Sequence, residues 1–162
     1  MSNSRDILRV LTRDARTTPA DIAVQTGLTV EQVEQAILDM ETAGIIRRYK
    51  TVIDWEKFGE ERVFAFIDVS VTPARDKGFD DIAVRISRYP EVHSVYLVSG
   101  SQDLRCVVEG NSLQQVADFV ARKLAPLDRV TGTTTHFLLK KYKDDGDIFY
   151  EEEEDSRLRV SP

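Results

Sequence analysis

The sequence has few of the residues that build metal centres, disulfides or membrane spans. One cysteine and two histidines occur in 162 residues. Cys106 alone cannot close a disulfide, and with only His93 and His136 beside it a Cys/His zinc site has too few ligands. No apolar run approaches the ~20 residues that a membrane span needs. The first residues, Met-Ser-Asn-Ser-Arg-Asp, lack the apolar region of a signal peptide. These absences point away from a membrane partner and toward a reducing cytoplasm. No nucleophile–base pair or metal constellation is visible, so neither an enzyme nor a resident cofactor is expected. His93 and His136 read as sheet residues, and Cys106, with no activating histidine near it, reads as a buried thiol.

What is present is enough apolar material for real cores, 41% of residues, and an uneven charge. The net charge is −6, but eight of the 28 acids fall in residues 144–162 against Arg157 and Arg159. Residues 1–143 are therefore neutral overall, and the acidity belongs to a tail expected to be solvated and disordered. Ile148, Phe149 and Tyr150, ahead of Glu151 to Asp155, either dock on a neighbouring subunit or lead into an acidic segment that shields basic surface.

Three helices are expected first. Ile7, Leu8, Leu11 and Ala15 mark one face over residues 4–14. Arg5, Arg9 and Arg13 repeat every four residues on another face, with Arg16 beyond, as a solvated stripe or a set of phosphate contacts. Thr17-Thr18-Pro19 opens a second helix, with proline in the first turn where its missing N–H costs nothing, and Gly27 closes it. Val30, Val33, Ile37 and Met40 form the buried stripe of a third, with Thr29 and Gln32 as a capping box and Gly44 as its left-handed stop. Two helices joined by a tight glycine turn form a helix-turn-helix, whose second helix is placed for the major groove. That helix carries Glu31, Glu34, Asp39 and Glu41 and no base. Behind it, Ile45 to Ile53 is a β-like run in which Arg47, Arg48 and Lys50 flank Tyr49, as a wing or an edge strand would. Asp54 to Gly59 reads as a turn or short helix anchored by Trp55 and Phe58.

The period then changes. Val63, Ala65, Ile67, Val69 and Val71 alternate as a strand that ends at Pro73. A helix over 79–86, strands over 92–99 and 104–109, a helix over 113–124 and a last strand over 131–142 follow. The order βαββαβ is the split-βαβ, ferredoxin-like pattern, with helices on one face of the sheet only. Phe64, Phe66, His93, Val95, Leu97 and Phe137 supply apolar material to both faces, so sheet-to-sheet dimerisation is expected. The fold class is α+β in two domains. A winged-type helix-turn-helix, all-α with small β, occupies residues 1–50, a linker 51–61, the βαββαβ sensing domain 62–143 and the acidic tail 144–162.

A helix-turn-helix, a short strand and a βαββαβ domain together resemble the Lrp/AsnC family of transcriptional regulators. The likeness covers about residues 4–143. It rests on Arg5 to Thr18, on Gly27-Leu28-Thr29 with Val33, Ile37, Glu41 and Gly44 to Ile46, and on Leu97 to Leu104. The last stretch is similar to the family's ligand loop, a valine–small–glycine turn ending in aspartate between two strands. The resemblance implies a C-terminal domain that senses amino acids, dimerises through its sheet and builds higher oligomers, often octamers. The effector would lie between subunits at Ser99, Gly100, Ser101, Gln102 and Asp103, with Thr134 and Thr135 of a neighbour's last strand helping. The chemistry of such a loop agrees: Gly100 allows close backbone approach, loop N–H groups cradle a carboxylate, and Asp103 accepts from an ammonium. An ordinary hairpin, with Gly100 turning the chain and Asp103 capping it, explains the same residues. The chain departs from the family pattern at Ser101, where many members are acidic, and at Ala36, where many carry arginine.

The first functional reading is therefore a sequence-specific regulator of double-stranded DNA, gated by a small effector, an amino acid. Thr29, Gln32 and Gln35 lie where bases are read, with Thr18 a further DNA-contact candidate, and glutamine can read adenine through two hydrogen bonds. Arg47, Arg48, Lys50, Arg5 and Arg9 supply the phosphate contacts. The acidic third helix favours an alternative, a ligand-binding or protein-interaction module that does not touch DNA. A remote third reading comes from siroheme decarboxylases, similar in architecture, which carry a histidine near the position of His93. This chain lacks the arginine- and tyrosine-rich stretch that follows in those enzymes.

Overall fold

The computed structural model describes residues 2–75 and 78–150, and the chain forms two compact units, residues 1–53 and 54–162. In the first, α1 (Ser2–Arg13), α2 (Pro19–Thr26) and α3 (Val30–Thr42) enclose Ile7, Ile22, Ala23, Val33 and Met40, with Leu8, Leu11, Leu28, Ala36, Ile37 and Ile46 packed around them. Each boundary has a local cause. The Thr18 hydroxyl accepts from the Asp21 amide at 3.2 Å, with Pro19 in the first turn of α2. At α3, Thr29 Oγ1 accepts from Gln32 N at 3.3 Å while Thr29 N donates to Gln32 Oε1 at 3.0 Å, a complete capping box. At its far end Gly44 takes φ +68°, so that Gly44 N reaches Glu41 O and Ile45 N reaches Met40 O. These are the two bonds of a Schellman stop, and a side chain at Gly44 would strain the left-handed backbone they require. Val30, expected within the buried stripe, is 37% exposed at its edge.

Residues 45–53 form no strand within this chain. The basic run has β-like composition, but a strand exists only through a ladder, and composition does not supply the partner.

In the second unit a short helix, α4 (Trp55–Phe58), precedes β1 (Val63–Val71), α5 (Asp80–Ser87), β2 (Val92–Leu97), β3 (Leu104–Gly110), α6 (Leu113–Phe119) and β4 (Val130–Phe137). α6 runs on into a π-helical turn over Val120–Leu124. The sheet is antiparallel in the order β2-β3-β1-β4, the ferredoxin-like arrangement the element order implies. Alternation sorts its side chains. Ala65, Ile67, Val69, Leu104, Cys106 and Val108 pack with Ile82 and Ile86 of α5, Val116 and Phe119 of α6, and Leu124 and Leu127 beyond it. Gly110 is buried where α6 comes closest: a Cβ there would stand 2.9 Å from Val116 Cγ2. On the opposite face stand Phe64, Phe66 and Asp68 of β1, Arg105, Val107 and Glu109 of β3, and Thr134 and His136 of β4.

The last strand stops at Phe137, short of the expected Tyr142. Part of the expected disordered tail is instead ordered: β5 (Lys143–Asp144) pairs with β6 (Asp147–Ile148). Asp145 and Gly146, both at positive φ (48° and 97°), make the two-residue turn between them. Lys141 Nζ lies 4.9 Å from the Phe149 ring centroid and 5.3 Å from that of Phe64, and Tyr142 meets Tyr150 edge-on. Phe149 and Tyr150 are thus used within their own chain. The acidic run from Glu151 onward lies outside the described residues.

Candidate functional site

The sequence assigns two sites, one on α3 and its flanks and one on the loop between β2 and β3. On α3, Val33, Ala36, Ile37 and Met40 face the core, which leaves Glu31, Gln35, Leu38 and Thr42 along the exposed ridge. Of the candidate DNA contacts, Thr18, Thr29 and Gln32 are engaged in caps: Thr18 Oγ1 also donates to Asp21 Oδ2 at 2.7 Å, and Gln32 Oε1 belongs to the capping box. Gln35 is the one on the ridge, and its Nε2 donates to Asp39 Oδ1 at 2.8 Å.

The acids of α3 are less free than their number suggests. The backbone amide at its own position and the Thr29 hydroxyl hold the Glu31 carboxyl below its usual range. Asp39 binds Gln35, and Glu41 Oε1 accepts from the Tyr49 hydroxyl at 2.8 Å. That last bond fastens the segment after α3 back onto the helix, with Arg47, Arg48 and Lys50 exposed on either side of Tyr49. Burial, then the Glu41 carboxylate, pushes the Tyr49 phenol up. Arg5, Arg9 and Arg13 are exposed along α1, and Arg9 NH1 lies 3.6 Å from Asp6 Oδ1. Sequence reasoning takes the carboxylates of α3 as the feature that favours a module off DNA. The spacing of Gln35 and Asp39, one helical turn apart, was the available sign that they pair.

In the β2–β3 loop, Ser99, Gly100 and Ser101 are exposed at the tip, and Gly100 has φ +143°, a backbone that side chains resist. Gln102 and Asp103 turn inward. Ser70 Oγ donates to Gln102 Oε1, Asp103 N donates to Val69 O at 3.3 Å, and Asp103 Oδ2 accepts from Val71 N at 2.8 Å. These bonds tie the loop to β1 where its register with β4 shifts between Ser70 and Val71. One oxygen of the carboxylate assigned to an effector ammonium is thus engaged with backbone. Thr134 stands opposite Asp68 on the open face and Thr135 opposite Ile67 on the helix-covered face, so the two threonines do not share a surface. β1 separates β4 from β3, so the threonines stand on the strand next to the one that holds Asp103.

Charge pairs on the open face escaped the sequence reading. Asp68 is 7% exposed in a strand of otherwise apolar neighbours, and Arg105 grips it with Nε at 2.7 Å and NH2 at 2.9 Å. Arg105 holds the Asp68 carboxyl below its ordinary value against the opposing effect of burial. His136 Nε2 lies 3.6 Å from the same carboxylate. Glu109 binds Arg62 NH1 at 2.7 Å and His93 Nε2, and His93 meets Phe64 edge-on. Both histidines are therefore sheet-face residues paired to carboxylates. Cys106 is buried on the other face, its thiol pushed up to about 12 chiefly by burial.

Residues 2–47 match a winged helix-turn-helix DNA-binding family, and residues 64–148 match the Lrp/AsnC ligand binding domain. The chain belongs to the Lrp/AsnC family. It is 48% identical over 158 residues, 97% of this chain and 95% of the other, to YugG, an uncharacterized HTH-type transcriptional regulator of Bacillus subtilis. It is 30% identical over 140 residues, 85% of this chain and 88% of the other, to the leucine-responsive regulatory protein of Rhizobium meliloti. A transcriptional regulator of Neisseria meningitidis, solved as its L-Met complex, superposes with a TM-score of 0.73 at 26% identity, covering 89% of this chain and 92% of that one. The Lrp/AsnC relatives are transcriptional regulators with a helix-turn-helix and a ligand-binding domain, and no helix among the described residues of this member is long and apolar enough to cross a membrane.

Proposed function

We propose that this protein is a sequence-specific DNA-binding transcriptional regulator of the cytoplasm whose activity is set by an amino acid bound at the interface of its C-terminal domains. The observation that carries the DNA reading is the ridge of α3. A fully capped helix presents Gln35 outward, and Glu31, Asp39 and Glu41 each have a hydrogen-bonding partner. Arg47, Arg48 and Lys50, with Arg5 and Arg9, supply phosphate contacts, and several modules in one oligomer strengthen binding through effective concentration. The protein-interaction reading drew its force from free carboxylates on α3, and these pairings weaken it.

The effector reading rests on the Ser99–Ser101 tip, which offers backbone N–H groups and hydroxyls to a carboxylate. The L-Met complex of the Neisseria relative supports an amino acid as the ligand class. The open sheet face, with Phe66 39% exposed between paired charges, is the surface through which two copies meet. Contact between copies would also bring a neighbour's Thr134 toward the loop.

Mobility-shift assays on the region upstream of the protein's own gene, with and without each amino acid, test the DNA reading. A shift that weakens as salt rises is expected. No shift at low salt, with or without amino acids, would overturn it. A thermal-shift screen of the amino acids tests the effector reading, since a ligand that binds only the folded state raises Tm with concentration. A flat response to all of them would reject an amino-acid effector.

A further inference from the structure

Asp39 and Glu41 stand in the last turn of α3, the end at which a helix dipole disfavours negative charge. The exposed bond that each makes adds little to stability, roughly what the dipole takes away. Each is bonded to a residue of the candidate DNA surface, Asp39 to Gln35 and Glu41 to Tyr49.

The Asp39–Gln35 bond has a chemical consequence. An ionised carboxylate only accepts hydrogen bonds, so Gln35 must turn its amide nitrogen toward Asp39 and its carbonyl oxygen away. One N–H of the Nε2 group is used in that bond, which leaves the other N–H and Oε1 side by side. That donor and acceptor match the N7 acceptor and the N6 amino donor on the major-groove edge of adenine. The opposite amide orientation would offer the pair in reverse order. A helix turn that fixes the plane of the amide before DNA arrives also removes part of the side-chain entropy lost on binding.

We infer that Asp39 is a positioning residue which sets Gln35 to read an adenine, so that a carboxylate that weakens overall DNA affinity sharpens base choice. The inference rests on the proposed DNA-binding function and adds to it the base read and the residue that enforces the reading. It makes affinity and specificity move in opposite directions, which a purely electrostatic role for Asp39 does not.

The full-length protein selects a site from a random duplex library, and each A·T pair of that site is then changed to G·C. The wild type is expected to lose on the order of tenfold or more at one A·T position of each half-site, the value of one good bidentate contact. Gln35→Ala should abolish that preference and leave the other positions unchanged. Asp39→Ala should bind all duplexes more tightly at low salt, by roughly twofold to fivefold as one exposed charge is removed, and lose most of the preference at the same position. Asp39→Asn loses the charge and keeps an oxygen that can accept from Gln35, but its amide can also donate, so it should gain the same affinity and keep at most part of the preference. Thermal melting checks that both Asp39 variants are folded. An Asp39→Ala variant that keeps the wild-type discrimination would overturn the inference, as would a Gln35→Ala variant with unchanged preferences. A wild type that binds no duplex would instead fail the DNA reading itself, a result separable from the other two.

Discussion

The carboxylates of α3 and those of the open sheet face are held by different kinds of partner. On α3 the bonds are local: Asp39 reaches four residues back to Gln35 and Glu41 eight residues on to Tyr49, and all four side chains stay exposed. On the sheet, Asp68 is matched with Arg105 across 37 residues of sequence and Glu109 with Arg62 across 47, and both carboxylates are largely buried. A solvated pair adds little to stability, whereas a buried charge that loses its partner is costly. The helix pairs therefore suit recognition and the sheet pairs suit architecture. The largest test of that division is Arg105→Ala. It leaves the Asp68 carboxylate buried with only His136 nearby, and should destabilise the C-terminal unit by about 1–3 kcal/mol. Trp55, the single tryptophan, belongs to that unit and stacks 3.5 Å from Arg62, so urea titration followed by its fluorescence reads the loss. Asp68→Asn should cost less, because Arg105 is half-exposed and water takes over its bonds.

Removing a cap tests the helix side of the comparison. Thr29→Ala deletes the hydroxyl that closes the capping box, and about 1 kcal/mol of the N-terminal unit's stability should go with it. Far-UV dichroism is the measurement, since the tryptophan lies in the other unit. An equal loss in the fluorescence transition would show that the two units do not unfold independently.

Acid separates the two regions next. The Asp68 carboxyl is depressed when folded, so its contribution is present at neutral pH and lost as pH falls below about 4, where the unfolded chain takes up its proton first. In Arg105→Ala the main depressing partner is gone and burial is opposed by His136 alone, so the carboxyl should move up and acidification should cost less stability at this site. Between pH 5 and 3 the free energy of unfolding should thus fall less steeply in the variant than in the wild type, the depressed carboxyls of Asp81 and Glu91 contributing equally to both. Parallel curves would mean that the ion pair is solvated, like those of the helix.

The same division governs what the sequence makes legible. Helix boundaries were readable because their causes are local: Thr18 with Pro19, Thr29 with Gln32, and Gly44. The βαββαβ order and its open face follow from alternation, but the match of Asp68 to Arg105 needs the strand register, which no local pattern carries. Residues 45–53 had strand composition without a partner strand in the chain. Residues 144–150 were misread because acidic composition outweighed the Asp145-Gly146 turn signal. The Gln35–Asp39 pair is within reach of i,i+4 reasoning, but only when the two residues are taken together and not one by one.

The smallest effect expected is at Tyr49. Its hydroxyl bond to Glu41 is exposed, so Tyr49→Phe should cost only about 0.5 kcal/mol. Its value as a test lies in titration. The phenol is raised above its usual 10.0 by burial first and Glu41 second. What the bond contributes is therefore present at neutral pH and is lost only as pH rises through the raised value. Glu41→Gln removes the charge but keeps an acceptor, so Tyr49, followed by its ring resonances, should titrate lower than in the wild type while the basic segment stays fastened. DNA affinity should then be unchanged or slightly higher in Glu41→Gln and lower in Tyr49→Phe, because only the second frees Arg47, Arg48 and Lys50 from the helix. Equal affinities in the two variants would show that the clasp does not position those cations, and the helix pairs would then reduce to Gln35 and Asp39 alone.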